Sequence, residues 1–367
     1  MHTVLESIAT ANPPFQLSQA DSLTFMSQLE GLSPPVRARL KKIYAKSGID
    51  CRYTCIQDYL TAPPNFSFYP DNWHLTPLPS TAVRNQLYQS YAPKIAESAA
   101  SQAIQQARLN PTSITHLIII SCTGFSAPGL DVQLIQQLGL RADVDRTIIG
   151  FMGCYAAFNG LKTAHAICQS DPHARVLLVC VELCTLHFQP DDSLESVVIN
   201  ALFGDGAAAA IISAQSDTEA VGKLAYVDGY SLLTNDTLEL MSWTIGNTGF
   251  LMTLSPQVSQ AIARYLPAYL TTLLDRNNLA ESAIDFWAVH PGGRLILDQV
   301  HDLLQLAEGT LQSSYEVLRQ YGNMSSGTIL FVLKQILSQQ TNLKNGIAMA
   351  FGPGLTIEGC LFQQVGA

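Results

Sequence analysis

Three sequence features occur twice along this chain, in the same order and at similar separations. A strand-like run that enters a turn begins at Ile114 and again at Ile284, 170 residues later. A glycine-containing turn that opens an apolar helix occurs at Cys154 and, 169 residues later, at Asn323. The hairpin FGDG is followed 148 residues later by FGPG. Repetition of this kind indicates two homologous halves, with a boundary in the polar stretch 215–225 and a ligand site where the halves meet.

Strand-like and helix-like segments alternate along both halves, which is typical of an α/β protein. The runs THLIIIS and RVLLVCVEL are almost continuously apolar, as expected of strands that are buried on both faces of a sheet. A helix is expected over 94–107, just before the first of these strands. We therefore predict two domains, 1–218 and 219–367, whose sheets are covered by helices on both sides.

Composition excludes several classes of function. The 367 residues carry a formal net charge of −9, which argues against a nucleic-acid-binding protein with a broad basic surface. Only 13% of the residues are charged, which favours an oligomer in which part of the surface is covered by a partner. No apolar run reaches the roughly 18 residues of a membrane span, and the first residues do not resemble a signal peptide. We expect a cytoplasmic protein.

The eight cysteines are expected to be reduced thiols in that compartment. Cys180, Cys184 and His187 are the nearest approach to a metal-binding set. They lie on or just after an apolar strand, and a second ligand pair at zinc-site spacing is missing. We therefore predict no metal site.

Cys154, His290 and Asn323 form the strongest candidate catalytic set. Cys154 lies in the first turn of a helix, where free N–H groups lower the pKa of a thiol. His290 ends a buried strand at the carboxyl edge of the sheet, where sites of α/β proteins lie. Asn323 is the counterpart of Cys154 in the second half. Taken one at a time, these residues also fit a buried cysteine, a structural histidine and a helix cap. Together they suit acyl transfer through a thiolate nucleophile. The N–H groups of the histidine and the asparagine would then stabilise an enolate oxygen.

The motifs GFMGCYAAFNG, ALFGDGAAAAII, FWAVHPGGRLILDQV, YGNMSSGTILF and FGPGLTIEG, in this order, resemble the chalcone/stilbene synthase family of type III polyketide synthases. The resemblance extends from about residue 6 to 363. It implies a thiolase-like fold with a layered α-β-α-β-α core, a homodimer, and an acyltransferase that needs no cofactor beyond its coenzyme A thioester substrates. It also implies that Cys154 carries the acyl group while His290 and Asn323 promote decarboxylation of malonyl-CoA.

The resemblance implies further roles one position at a time. Arg39, Lys42 and Lys46 match three basic residues that bind the coenzyme A phosphates, and their spacing places them on one helical face; a solvated charged face is the alternative. Phe203 matches one of two gatekeeper phenylalanines between the coenzyme A tunnel and the cavity. Met252 stands at the second gatekeeper position, so one side chain of the gate is more flexible than in the plant enzymes.

Cavity positions bear on the choice of substrate. Small residues at Thr123, Ala127 and Cys184 resemble those of bacterial members that open a tunnel for long acyl chains. Trp243 stands where plant members commonly carry glycine and would fill the plant-type starter pocket, and His187 replaces a small polar residue. Ser325 is assigned to the same gate and cavity set.

These positions favour a long-chain acyl-CoA starter, extended with malonyl-CoA and released as an alkylpyrone or alkylresorcinol. An aromatic or short starter is one alternative. A ketoacyl synthase of the third class, which makes a single condensation, is another. A non-catalytic partner with the same fold is disfavoured because the whole triad is present. The sequence does not indicate the number of extensions or the mode of cyclisation.

Overall fold

The computed structural model describes residues 1–339 and 343–366 of the chain. Its strands are β1 (His2–Ala11), β2 (Phe15–Ser18), β3 (Cys51–Thr54), β4 (His116–Ser121), β5 (Asp145–Gly150), β6 (Arg175–Leu183), β7 (Asp205–Gln215), β8 (Leu224–Leu233), β9 (Met241–Gly246), β10 (Gly249–Leu254), β11 (Phe286–Val289), β12 (Asn345–Gly352) and β13 (Thr356–Gln364). Its α-helices are α1 (Gln19–Gln28), α2 (Pro34–Lys46), α3 (Thr81–Gln106), α4 (Leu130–Leu138), α5 (Ala156–Ser170), α6 (Leu194–Leu202), α7 (Asp217–Ala220), α8 (Val258–Arg276), α9 (Arg294–Leu303), α10 (Gln312–Tyr321) and α11 (Thr328–Gln339).

The main sheet is symmetric about its middle. Within the described residues it has nine strands in the order β11-β12-β13-β8-β1-β7-β6-β4-β5. In the first half, β4 and β6 are parallel and β7 is antiparallel to β6 and β1. In the second half, β11 and β12 are parallel and β13 is antiparallel to β12 and β8. Within the sheet, the halves are joined by a short pairing of β1 with β8, at Thr3–Tyr226 and Val4–Ala225. The predicted internal duplication is confirmed by this strand order.

Helices cover both faces of the sheet in each half. Along β4, Leu117 and Ile119 pack with α3, whereas Ile118 and Ile120 pack with α5 and α11. Strand β12 alternates in the same way: Ala348 faces α5 and α11, while its neighbours face α8 and α9. Successive side chains of a strand point to opposite faces, so α5 and α11 form a central layer that both halves share. The predicted α-β-α-β-α layering is confirmed.

One predicted helix is longer in the structure than in the sequence analysis, and the predicted domain boundary can be located in the fold. The helix expected over 94–107 is α3, which begins at Thr81 and contains Pro93 in its interior; α8 likewise contains Pro267. The division at 218/219 falls within α7, between the last strand of the first half and the first strand of the second, and it stays a prediction. None of the helices described is long and apolar enough to cross a membrane.

Candidate active site

Cys154 lies in a tight turn that both halves build. Its neighbour Gly153 has a φ of +81°, and a side chain at Gly153 would meet the ring of Pro353 at 2.3 Å. The Gly153 N–H donates to the Cys122 sulfur at 3.1 Å. A short 3-10 turn over Gly153–Tyr155 then leads directly into α5. Only glycine meets both requirements at 153, and the position of the Cys154 thiol therefore depends on the second half.

The Cys154 thiol is buried. Burial raises the pKa of Cys154 to about 11, while the polar side chains of Ser325 and Asn323 act in the opposite direction. The sequence analysis expected a lowered pKa from the helix start. The structure differs because removing a thiolate from water costs more than the N–H groups of one helix end return. In the substrate-free protein the thiol is therefore protonated at neutral pH.

Asn323 is fixed between two backbone segments. Its side-chain oxygen accepts the Ser325 N–H at 2.8 Å, and its amide nitrogen donates to the Gly292 carbonyl at 3.3 Å. Its backbone N–H donates to the Leu202 carbonyl at 2.9 Å, and its carbonyl accepts the Gly204 N–H at 2.9 Å. Asn323 is thus paired directly with Phe203, the candidate gate residue.

His290 follows β11 and is buried. Its backbone N–H donates to the Met349 carbonyl at 2.9 Å, and a side chain at Gly292 would come within 3.8 Å of Nε2. Since Gly292 also accepts from the Asn323 amide, this turn connects the two candidate residues. Neither ring nitrogen has a hydrogen-bond partner in the described part of the chain. Burial lowers the pKa of His290 to about 3, so the imidazole is neutral.

A cavity of about 930 Å³, including space open to solvent, extends from Cys154. Most of the predicted gate and cavity residues line it: Thr123, Cys184, His187, Phe203, Trp243, Met252 and Ser325. His290 and Asn323 are not among the lining residues. Ala127, which was also predicted to line the wall, is exposed and is not among the lining residues, because the chain after β4 runs to the surface before α4 begins.

One wall of the cavity is a rigid aromatic cluster. The ring of His187 stacks on Phe250 with centroids 4.1 Å apart, and Trp243 contacts both rings edge-on. Nδ1 of His187 accepts the Phe250 N–H at 3.0 Å, so Nε2 donates to the Thr123 carbonyl at 2.8 Å. The Trp243 N–H donates to the Cys122 carbonyl at 2.8 Å. Phe250 was missed by sequence reasoning, although it shares a strand face with Met252 two residues later.

The bonding of His187 also bears on the metal set considered above. Both of its ring nitrogens are occupied by backbone partners, and burial lowers its pKa to about 3. Within residues 1–339 and 343–366, no group of three His, Cys, Asp or Glu side chains is placed to hold a metal ion.

Glu182 is a second residue that sequence reasoning missed. Its carboxylate is buried in β6 and accepts the Cys122 N–H at 2.9 Å and the Thr123 hydroxyl at 2.8 Å. The other oxygen accepts the Ser326 hydroxyl. Burial raises the pKa of Glu182 to about 7, and in its charged form Glu182 raises the pKa of Cys154 further. The signal for it was a lone acid within the apolar run RVLLVCVEL.

Helix α2 presents Arg39, Lys42 and Lys46 to solvent. Its opposite face buries Val36, Leu40 and Tyr44. The helix packs against α6, and α6 in turn contributes Ser196, Ile199 and Asn200 to the cavity lining. None of the three basic side chains has an acidic partner in the described residues, so no ion pair neutralises their charge.

Comparison with known proteins places the whole chain in one family. Residues 2–216 match the model of chalcone and stilbene synthases, N-terminal domain, and residues 231–366 match that of the C-terminal domain. The "Alpha-pyrone synthesis polyketide synthase-like Pks18" of Mycobacterium tuberculosis is 33% identical over 98% of this chain and 91% of its own length. The crystal structure of PKS-I from the brown alga Ectocarpus siliculosus superposes with a TM-score of 0.94 at 34% identity, covering 99% of this chain and 98% of that one.

"Polyketide synthase 37" of Dictyostelium discoideum is 35% identical over 100% of this chain, which spans only 12% of that protein's length. The likeness to that protein therefore concerns one part of it.

Replacing Glu182 by Gln should lower the pKa of Cys154, because the carboxylate charge that raises this pKa is removed while the side chain keeps its shape. The rate of Cys154 alkylation by iodoacetamide, followed by peptide mass spectrometry across pH, should move to lower pH. Glu6→Gln, which changes a partly buried acid that bonds to Ser213 and Gln215, serves as the control. A profile that stays in place or moves to higher pH contradicts the assignment.

Proposed function

We propose that this chain, which belongs to the chalcone and stilbene synthase family, loads an acyl-CoA starter on Cys154 and extends it repeatedly with malonyl-CoA. The chain is a type III polyketide synthase, as the sequence predicts. The observation that best supports the assigned roles is the meeting of two turns, one from each half, that brings Ser325 and Asn323 to the Cys154 thiol.

The proposed cycle begins from a neutral thiol and a neutral imidazole. As the Cys154 sulfur attacks the starter thioester, its proton passes to His290 and then to the departing coenzyme A thiolate. Malonyl-CoA binds next and loses its carboxylate as CO₂, and the electron pair moves onto the thioester oxygen as an enolate. The N–H groups of His290 and Asn323 stabilise that oxygen. The enolate carbon attacks the acyl-Cys154 thioester and expels the Cys154 thiolate, which leaves the lengthened chain as a coenzyme A thioester. Cys154 then attacks this thioester, so the chain returns to Cys154 and coenzyme A leaves.

A long-chain acyl starter is the favoured substrate. Thr123 and Cys184 are small lining residues of the cavity, and Met252 is a flexible gate residue. Trp243 and His187 form a wall that hydrogen bonds to the backbone of Cys122 and Thr123 hold in place. A starter chain would therefore extend past Cys184. A relative named for alpha-pyrone synthesis adds support for release as an alkylpyrone, with an alkylresorcinol as the other product class.

Incubation with lauroyl- to stearoyl-CoA and radiolabelled malonyl-CoA should give lipophilic labelled products, separable by chromatography, without any added cofactor. Cys154→Ala should abolish starter loading, measured as the mass of the acylated protein. Cys184→Leu should lower stearoyl-CoA turnover about tenfold or more through overpacking of the passage, while hexanoyl-CoA turnover in the same variant provides the internal control.

Three outcomes of that experiment contradict the proposal. Turnover with aromatic or short starters alone would exclude the long-chain substrate. A requirement for malonyl groups on an acyl carrier protein, with a single condensation, would indicate a ketoacyl synthase. Full condensation by Cys154→Ala would remove Cys154 from its role.

Coenzyme A binding by α2 gives a second prediction. Lys42→Glu should raise the KM for malonyl-CoA roughly tenfold, equivalent to about 1.4 kcal/mol, because it places a negative charge among groups proposed to bind phosphates. The alkylation rate of Cys154 should stay unchanged. Lys41→Glu is the matched control, since Lys41 is exposed on the same helix but lies about 100° around the axis from Lys42. Equal effects of both substitutions would refute a specific phosphate site.

A homodimer is proposed from the free edge of the sheet. Strand β5 ends the main sheet, and Ile148 on it is 59% exposed, close in sequence to the exposed Phe151. Phe125, 57% exposed, stacks on the cavity residue Phe250 at 6.3 Å. Exposed aromatic side chains beside an unpaired strand mark an association surface, and a second copy of the chain would shield the cavity wall behind them.

Light scattering after gel filtration should give a mass twice the 39.8 kDa of one chain. Ile148→Asp should shift the population to monomer, because it places a charge in the proposed interface. Val221→Asp, at another exposed apolar residue remote from β5 in the sequence, should leave the mass unchanged. A monomeric parent protein at micromolar concentration would refute the dimer.

A further inference from the structure

Arg52 is a charged side chain buried among the elements that carry the candidate catalytic residues. It lies on β3, opposite Leu17 of β2, and it is 4% exposed. It lines the cavity, yet none of the roles assigned above uses it. No carboxylate of the described residues forms an ion pair with it. Its guanidinium donates instead to backbone carbonyls and to one hydroxyl, which indicates a role in fixing the backbone.

The carbonyls that Arg52 binds are those at the end of α6. One terminal nitrogen donates to the Asn200 carbonyl at 2.8 Å and also to the Phe203 carbonyl. The other donates to the Ser22 hydroxyl at 2.7 Å. The last carbonyls of an α-helix have no partner within the helix, and a cation is favoured at that end by the helix dipole. Arg52 therefore completes the C-terminus of α6.

The same helix end holds Asn323. The Leu202 carbonyl accepts the Asn323 N–H at 2.9 Å. The Ala201 carbonyl accepts from the Gln19 side chain at 2.9 Å. Together with the Asn200 carbonyl that Arg52 binds, the last three carbonyls of α6 therefore have partners outside the helix. The alkyl part of Arg52 also packs against Gly322, where a side chain would come within 2.9 Å of the Arg52 Cδ. Arg52 thus touches the backbone on both sides of the Phe203–Asn323 pairing.

We propose that Arg52 is a positioning residue for decarboxylation and condensation: by binding the end of α6 it sets Phe203 and Asn323 relative to Cys154. This inference rests on the proposed function, because Asn323 must act on malonyl-CoA for its placement to matter. The planar fork of arginine reaches two carbonyls and a hydroxyl at once, whereas the ammonium of a lysine is a single point donor on a flexible stem. A displacement of about 1 Å at a reacting group can cost on the order of 100-fold in rate.

The test compares Arg52→Lys and Arg52→Met with Gln19→Met. Gln19 is the matched control because it is buried and binds the same helix end at the Ala201 carbonyl, but it does not contact Phe203 or Gly322. The measurements are kcat and KM for malonyl-CoA decarboxylation without starter, the rate of Cys154 alkylation, and the midpoint of thermal unfolding.

Both Arg52 variants should lose about 10- to 100-fold in the kcat of decarboxylation. The KM for malonyl-CoA and the rate of Cys154 alkylation should stay within about threefold of the parent values, because the substitutions change neither the basic face of α2 nor the Cys154 turn. Gln19→Met should lower the unfolding midpoint and keep kcat. A third variant, Arg52→Ala, leaves space for a free guanidinium ion. Millimolar guanidinium should restore part of the activity of this variant and should not change the activity of Gln19→Met.

Arg52→Lys with the parent kcat would overturn the inference. So would losses in kcat, alkylation and unfolding midpoint that match those of Gln19→Met, because they would show a purely structural role. If the Arg52 variants do not fold, Ser22→Ala removes only the hydroxyl that orients Arg52 and should lower kcat about 3- to 10-fold, the equivalent of one hydrogen bond; an unchanged kcat again overturns it. A parent protein that does not decarboxylate malonyl-CoA would instead refute the proposed function.

Discussion

The interlocking of two turns at the seam between the halves determines the geometry of the whole site. A side chain on Gly153 would collide with the ring of Pro353, and one on Gly352 would collide with the ring of Tyr155 at 2.6 Å. Each turn therefore fits only when the other is in place. Helix α5 follows the turn at Gly153, and α11, which follows the turn at Asn323, shares the central layer with it, so packing of that layer also brings Cys154 and Asn323 together.

Exclusion of water from this seam explains the protonation states of the candidate catalytic groups. Burial raises the pKa of Cys154 to about 11 and lowers that of His290 to about 3, so both side chains are neutral before substrate binds. A neutral thiol and a neutral imidazole can be buried at a lower cost than their charged forms. Charge then has to be created during the reaction, at the moment when a thioester carbonyl or a leaving thiolate can accept it. The buried Glu182 adds to this control, since its own ionisation near neutral pH raises the pKa of the thiol.

The sequence predicted the parts of the site that depend on the repeated pattern. Cys154 and Asn323 were predicted because each lies in a turn that opens an apolar helix, and the symmetric strand order brings those turns together. Ala127 does not line the cavity of its own chain, and a position shortly after a strand does not reveal whether the chain turns inward or outward. Arg52 and Glu182 were missed for a different reason: each is a single charged residue on a strand, and only the three-dimensional structure shows that its partners are backbone groups and hydroxyls.

The hydrogen bonds of the two buried histidines distinguish a structural role from a chemical one, whereas their pKa values do not. Burial lowers the pKa of His187 and of His290 to about 3, yet both nitrogens of His187 are hydrogen-bonded, whereas those of His290 have no partner in the described part of the chain. A buried polar atom without a partner costs roughly 1–3 kcal/mol, and folded proteins rarely tolerate it. Both ring nitrogens of His187 are therefore used in holding the wall, while the ring nitrogens of His290 remain available to groups outside the described protein residues. In the proposed cycle, the oxygen that gains negative charge accepts the N–H of His290, and this hydrogen bond strengthens in the transition state.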